Sequence, residues 1–278
     1  MTATHRHPEL LEKLAEGIGN LTSSEQWQRR LDVQSRFRRY SFGNVLLIAA
    51  QRPEASQVAG FNAWRKLNRF VRKGEKAIWI LAPMVYRTSD THADNDDERV
   101  IRGFKFVPVF DLAQTDGDAL PAVCHQLDGD DPAGHYAQLV SVAQSIGFTV
   151  EDHELAGPNG DCCHSERRIR VEARNMPAQR VKTLAHELGH AILHEPGEDR
   201  PRSRALLELE AESVAYVVCQ NLGVETSDYS FGYVATWAGG GTEAREAIKA
   251  YGTRIQQAAD QILTAVEAVQ GLGREAVA

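Results

Sequence analysis

Two histidines and an acid set the reading of this chain: His186-Glu187-Leu188-Gly189-His190, within Lys182 to Glu195 (KTLAHELGHAILHE). In an H-E-x-x-H pattern the two imidazoles leave one face of a helix, a turn apart, and can grip one metal ion. The acid beside the first His then borders the ion's open position, where it can take a proton from water, as the general base of a zinc hydrolase does. The flanks suit a buried helix, because Val181, Leu184, Ala185, Leu188, Ala191, Ile192 and Leu193 are apolar.

Two histidines do not complete a site, and the third ligand sets its class. A third His six residues past the second, with Gly midway, is excluded, since those positions are Pro196 and Leu193. Downstream, Leu206 to Tyr216 (LLELEAESVAY) reads as a helix with Glu208 and Glu212 one turn apart on one face. Glu208 is the preferred ligand of a site with two His and one Glu, which leaves a fourth position for water. Glu212, the alternative ligand, suits the outer role of holding an imidazole by its second nitrogen. Glu210 points elsewhere and is expected as a solvated carboxylate. His194, a turn past His190, could compete for the ion but reads first as a polar helix end. Ala211 and Ala215 are small enough to let the two helices approach closely.

Other elements must position these groups. Gly134 to Ile146 reads as a helix, Phe148 to Glu151 as a short strand, and Arg167 to Glu172 (RRIRVE) as a strand alternating Ile169 and Val171 with charge. That last strand either is structural or offers an edge for an extended peptide. Tyr229 to Tyr233 and Trp237 to Gly241 form an aromatic, Gly-rich loop for packing, or for a Tyr that stabilises an oxyanion. Thr242 to about Val269 is a long amphipathic helix that covers the core.

The first half has a different character. Pro8 opens one amphipathic helix, Thr22-Ser23-Ser24-Glu25 caps a second through Tyr40, and Ser41 caps a third, FGNVLLIAAQ, that is apolar enough to be buried. Ala77 to Val85 and Val100 to Phe110 read as strands, separated by the acidic loop of Ser89 to Glu98. Asp111 to Pro132, rich in Gly, Pro and acids, is the boundary. The expected division is 1–115, a linker at 116–132, and 133–278.

Charge separates the halves as well. The 278 residues carry −7, yet Trp27 to Arg87 hold 13 Lys and Arg against three acids, and residues 88 to 278 carry −15. A basic module fused to an acidic one suggests a polyanionic partner for the first. The candidate contacts are Arg36, Arg38, Arg39, Tyr40, Phe61, Trp64, Arg65, Lys66, Arg69, Arg72, Lys73 and Lys76. Either the bases neutralise phosphates while Trp64, Phe61 or Tyr40 stack on unpaired bases, or the aromatics are core and the bases an ordinary surface. Trp64, flanked by Arg65 and Lys66, is the first stacking candidate. Four cysteines (Cys124, Cys162, Cys163, Cys219) have no disulfide-framework spacing and read as reduced thiols, with a Cys162-Cys163-His164 cap on the zinc as the lesser reading. No apolar run reaches about 18 residues and the start lacks a signal-peptide core, so a cytoplasmic protein with no membrane partner is expected.

Several stretches resemble known families. Ser41-Phe42-Gly43-Asn44 with LLI, VAGFNAWRKL and VRKGEKAIWILAP resemble the N-terminal single-stranded-DNA-binding domain of ArdC-type antirestriction proteins. HELGH with ELEAESVA resembles the ImmA/IrrE-type zinc metallopeptidase domain that follows it in such proteins. The resemblance implies an α+β chain of two domains, the second zincin-like, mainly helical with a small sheet. It further implies one Zn2+ on His186, His190 and Glu208, catalysis by Glu187, and binding of single-stranded DNA. The acidic insert at 89–98 and the Cys162-Cys163 pair depart from the pattern. Two functions follow as expectations: a DNA-protecting protein carrying a metallopeptidase fold, or a regulatory protease that cuts an unknown protein substrate and uses its basic domain only for localisation. A zinc-stabilised structural protein is the third.

Overall fold

The structure is a computed structural model that describes residues 8–19, 21, 23–87, 99–120, 132–196, 203–224 and 242–275. The chain is α+β and divides into two compact units: Met1–Ile18 with Gly43–Pro121, and Gly19–Phe42 with Ala122–Ala278. The acidic loop of 89–98, the aromatic loop of 229–241, Cys124 and most of the expected linker lie outside the described residues. Among the described residues no helix is long and apolar enough to cross a membrane.

In the first unit, α1 (Pro8–Gly19) and α3 (Phe42–Gln51) supply the helical layer; α3 buries Val45, Leu47 and Ile48 completely. β3 (Ile78–Arg87) and β4 (Arg99–Asp111) form a long antiparallel ribbon, with β1 (Val58–Ala59) on the far side of β4. The free edge of β3 is satisfied by two amides of α3, seven residues apart and hence on one helix face. Asn44 exchanges hydrogen bonds with the backbone of Leu81 at 2.8 Å each way, and Gln51 does so with Trp79 at 2.9 and 3.0 Å. A helix thereby caps the strand edge that would otherwise be open to pairing. The register slips between Pro83 and Val85, where proline cannot donate to the ladder. A short helix α4 (Phe61–Lys66) precedes β2 (Arg69–Val71), which pairs with β5 (Thr115–Gly117). Residues 116 and 117, expected in the linker, thus belong to a strand.

The second unit is mainly helical. α5 (Pro132–Ser145), α6 (Pro177–Leu193), α7 (Arg204–Leu222) and α8 (Thr242–Glu275) pack with a sheet of order β6-β8-β7, formed by β6 (Thr149–His153), β7 (Gly160–Cys163) and β8 (Arg168–Glu172). β8 is parallel to β6 and antiparallel to β7, so of its two readings the structural one holds: it is the centre of the sheet and offers no edge to a peptide. The edge strands are β6 and β7, and the GDCC sequence of β7 has no alternating pattern by which to find it. α2 (Ser24–Arg36) also packs here, although the sequence division places it with the first half. Trp27 Nε1 donates to Ser213 Oγ on α7 at 2.9 Å, and Tyr216 of α7 bonds Asp32. The capping box of α2 is Ser23 with Gln26, one residue later than the sequence suggests. The helix stops at Arg36 rather than Tyr40 because Phe37 leaves helical geometry and is buried.

Candidate functional site

α6 begins on Pro177 at its first turn and carries the H-E-x-x-H residues to its C-terminal half. α7 is capped by Ser203, which accepts from Leu206 N at 3.3 Å, and ends on Gly223 in the left-handed region. The two helices cross at Gly189: a Cβ there would stand 3.0 Å from Ala211 Cα. Gly189 is therefore what lets α7 come close enough to present Glu208 across from the histidines.

The ligand-type atoms of His186, His190 and Glu208 lie within 4.8 Å of one another. His186 Nε2 and His190 Nε2 are 3.1 Å apart, and Glu208 Oε2 is 3.3 Å from the first and 3.6 Å from the second. Two imidazole nitrogens and one carboxylate oxygen converging on a point form a donor set that suits a borderline divalent ion. Behind them, His186 Nδ1 faces Glu212 Oε2 at 3.0 Å, and Glu212 Oε1 meets Lys182 Nζ at 3.2 Å.

Electrostatics follow this geometry. Burial alone would lower the His186 pKa, but its bonds to Glu208 and Glu212 prevail and push it up to about 9. The imidazoles hold the Glu208 carboxyl well below the usual carboxylate range. The carboxylates thus favour positive charge at this point, whether a proton on His186 or a divalent ion. Glu187 is 6% exposed, and burial pushes its carboxyl up to about 7 against the attraction of His186.

A cleft of about 690 Å3 opens on the cluster, lined by Gly160, Asp161, Cys162, His186, Glu187 and Glu208 among others. Edge strand β7 forms one wall and runs so close to α6 that a Cβ on Gly160 would meet Thr183 Cγ2 at 2.6 Å and Glu187 Oε1 at 3.0 Å. Cys162 on that strand keeps its proton, since burial and then the Glu187 charge push the thiol up to about 12. Cys162 and Cys163 form no disulfide; their sulfurs lie 4.0 Å from His164 Nδ1 and 3.3 Å from Ser165 Oγ, respectively.

Residues 6–110 match the family described as the N-terminal domain of anti-restriction factor ArdC, and residues 144–220 match the IrrE N-terminal-like domain of the Peptidase_M78 family. The chain has the ArdC-type two-domain architecture. Its fold is similar to the crystal structure of the antirestriction ArdC protein from plasmid R388 in metal-free form, with a TM-score of 0.53 at 23% identity over 82% of this chain and 86% of that one. The Mn(II)-bound structure of the same protein matches with a TM-score of 0.52, also at 23% identity, over 82% and 85% of the two chains. An uncharacterised Bacillus anthracis protein is 23% identical over 93% of this chain but 51% of its own length, so the chain spans about half of that curated relative.

The site has a wider setting than the ArdC-type motifs carry. Glu210, expected to be solvated, is 0% exposed. Its Oε2 stands 3.0 Å from His194 Nε2, and its Oε1 stands 3.4 Å from Arg254 Nε of α8. His194 is the polar end of α6 that the sequence suggests, and its Nδ1 meets His190 Nδ1 at 2.8 Å. Glu210 lies two residues from Glu208, so the helical period does send it to another face. That face is core, and no local pattern points to Arg254.

The basic candidates of the ArdC-type N-terminal domain are scattered. Trp64 is 2% exposed and its Nε1 donates to Phe110 O at 2.8 Å, so it packs as core and offers no ring for stacking. Arg69 bonds Thr115 and the backbone of Gly117 and Asp118, while Arg72 pairs with Glu75 and Asp116, which fastens both to the fold. Phe61 is 48% exposed and Phe70 56%, on α4 and β2, with Arg65, Lys66, Lys73 and Lys76 exposed nearby in sequence. Phe70 escapes the sequence reading because alternation in a three-residue strand is too short to assign a face. Arg36, Arg38, Arg39 and Tyr40 belong to the second unit. There Arg38 is neutralised by Asp260 and Glu267, Arg39 stands 3.6 Å from Glu267, Tyr40 is half-buried and Arg36 is exposed.

Proposed function

We propose that this chain binds single-stranded DNA through its first unit and holds one divalent ion, zinc by donor preference, at His186, His190 and Glu208 in its second. The observation that carries the metal reading is the convergence of three donors of the right chemistry beside buried Glu187, at the floor of an open cleft. The related R388 protein, solved with Mn(II), supports a divalent ion of either kind. A bound ion would supply Lewis-acid polarisation of a carbonyl oxygen and of water. Glu187 takes a proton from that water on a carboxylate oxygen and returns it to a leaving amine. Glu212 orients His186 through its Nδ1.

Phosphates are met by Arg65, Lys66, Lys73 and Lys76, and bases stack on Phe61 and Phe70 in place of buried Trp64. The fold likeness to an antirestriction protein supports a role in protecting transferred DNA. The second reading, a regulatory endopeptidase, draws on β7: its outer edge, unpaired among the described residues, lies in the cleft with Glu187, where an extended peptide can add as a strand. Substituting Glu187→Gln distinguishes the two. Protection of incoming DNA that survives the substitution supports the first reading, and loss of every biological effect supports the second. Titration of zinc and of manganese against a chromophoric chelator, with Glu208→Gln alongside, tests the metal site: one ion per chain is expected, and an unchanged affinity in the variant would refute the assignment.

A further inference from the structure

The two histidines are held from behind in different ways. His186 is held directly by Glu212, a carboxylate backed by Lys182. His190 meets a second imidazole, His194, which meets Glu210, which in turn faces Arg254 from α8. The order of donors and acceptors along this second chain is fixed by its far end. Glu210 is wholly buried, with one carboxylate oxygen facing the Arg254 guanidinium and the other facing His194, and carboxylate oxygens accept hydrogen bonds. His194 Nε2, 3.0 Å away, therefore carries a proton. A neutral His194 then has its lone pair on Nδ1, which accepts from His190 Nδ1–H at 2.8 Å. His190 is left with its Nε2 lone pair pointing to His186 Nε2 and Glu208, where the donors converge.

We propose that Glu210, His194 and Arg254 are positioning residues, a proton-ordered brace that fixes the tautomer and ring orientation of His190 for the divalent ion and ties that ligand to α8. The inference rests on the reading of His186, His190 and Glu208 as a metal site. Arg254 also donates to Leu193 O at the end of α6, so one α8 side chain fastens both the brace and the helix that carries the ligands. A ligand imidazole held by an outer carboxylate is a common device, and its loss weakens metal binding by about 10–100-fold. Here an extra imidazole and a guanidinium extend it to a third helix.

The test uses the full chain and two readouts. In metal-free protein with 15N-labelled histidine, long-range imidazole spectra should place His190 in the Nδ1–H form and His194 in the Nε2–H form; an Nε2–H tautomer for His190 overturns the brace. Chelator competition with zinc should then give about 10–100-fold weaker binding in His194→Leu than in the wild type. His194→Gln, whose amide can accept from His190 and donate to Glu210, should recover most of that loss. Equal affinity in His194→Leu and the wild type overturns the proposal. Should His194→Leu fail to fold, Arg254→Met carries the same comparison, with weaker binding expected and wild-type affinity again overturning it. A wild type that takes up neither zinc nor manganese defeats the metal-site reading itself, which distinguishes that failure from failure of the brace.

Discussion

The cluster on α6 and α7 and the basic stretch around α4 differ in how sequence becomes function. In the cluster, three donors are placed by two helical periods and one close crossing at Gly189, so spacing along the chain becomes spacing around a point. In the basic stretch, composition announces a polyanion surface, but which residue faces solvent is settled by packing. Trp64 turns inward to Phe110 while Phe61, three residues earlier, turns out. Chemistry that needs several atoms at one point is written locally, whereas chemistry spread over a surface depends on the whole unit.

The largest effect should come from emptying the cluster. His190→Ala leaves two donors, and divalent-metal affinity should fall by more than about 100-fold, beyond the loss from an outer partner, with Tm little changed. A variant that binds zinc normally would break the comparison on its strong side. Next in size is Trp64→Ala, which as a core truncation should destabilise the first unit by about 3–5 kcal/mol in urea unfolding. Phe61→Ala should leave stability nearly intact and instead weaken single-strand binding by about 1–3 kcal/mol, the worth of one stacked base. If the two swapped effects, the surface would have been assigned to the wrong aromatic.

Arg30 sharpens the contrast further. Counted among the bases of the positive stretch, it is 4% exposed, stacked 4.1 Å from the Phe42 ring centroid, and its guanidinium nitrogens have no hydrogen-bond partner among the described residues. Burial pulls its pKa down. Arg30→Met should therefore leave stability unchanged or raise it by about 1–2 kcal/mol, read as a higher Tm, because an unpaired buried charge costs more than its packing returns. A clear loss of stability would mean the charge has a partner that burial conceals.

The smallest effect concerns the frame of the cleft. Glu172 at the end of β8 accepts from Arg174 and from the backbone of Arg174 and Leu155, which lowers its pKa from 4.5 to about 2. A depressed carboxyl stabilises the fold above its unfolded value, and that contribution is lost as pH falls from about 4.5 through about 2. Glu172→Gln should therefore melt lower than the wild type at pH 7, and the gap should narrow towards pH 2. A gap that is constant with pH would assign the loss to shape instead of charge.

Legibility followed the same divide. The pairing of His186 with His190, and of Glu208 with Glu212, on single helix faces was readable from one-turn spacings, as were the long helices and the two strands of the β3–β4 ribbon; that Glu208 meets the histidines depends on the crossing at Gly189. The burial of Glu210 was not readable because periodicity gives a face its direction but not what covers it; Arg254 of α8, some forty residues away in sequence, covers this one. β7 was invisible because four residues of GDCC offer no period, and its place as a sheet edge depends on β8 pairing with β6 on the other side. The attachment of α2 to α7 rests on Trp27–Ser213 and Asp32–Tyr216, contacts across more than 180 positions that no local pattern encodes.

The most direct test of the account is one anisotropy series on a labelled single strand at two salt concentrations, with the wild type, Phe61→Ala/Phe70→Ala and His190→Ala side by side. The wild type should bind tightly and in a salt-sensitive way, the double-phenylalanine variant should lose most of that binding, and His190→Ala should lose none. Absence of single-strand binding by the wild type, or equal weakening in the two variants, would contradict the assignment of DNA and metal to separate regions.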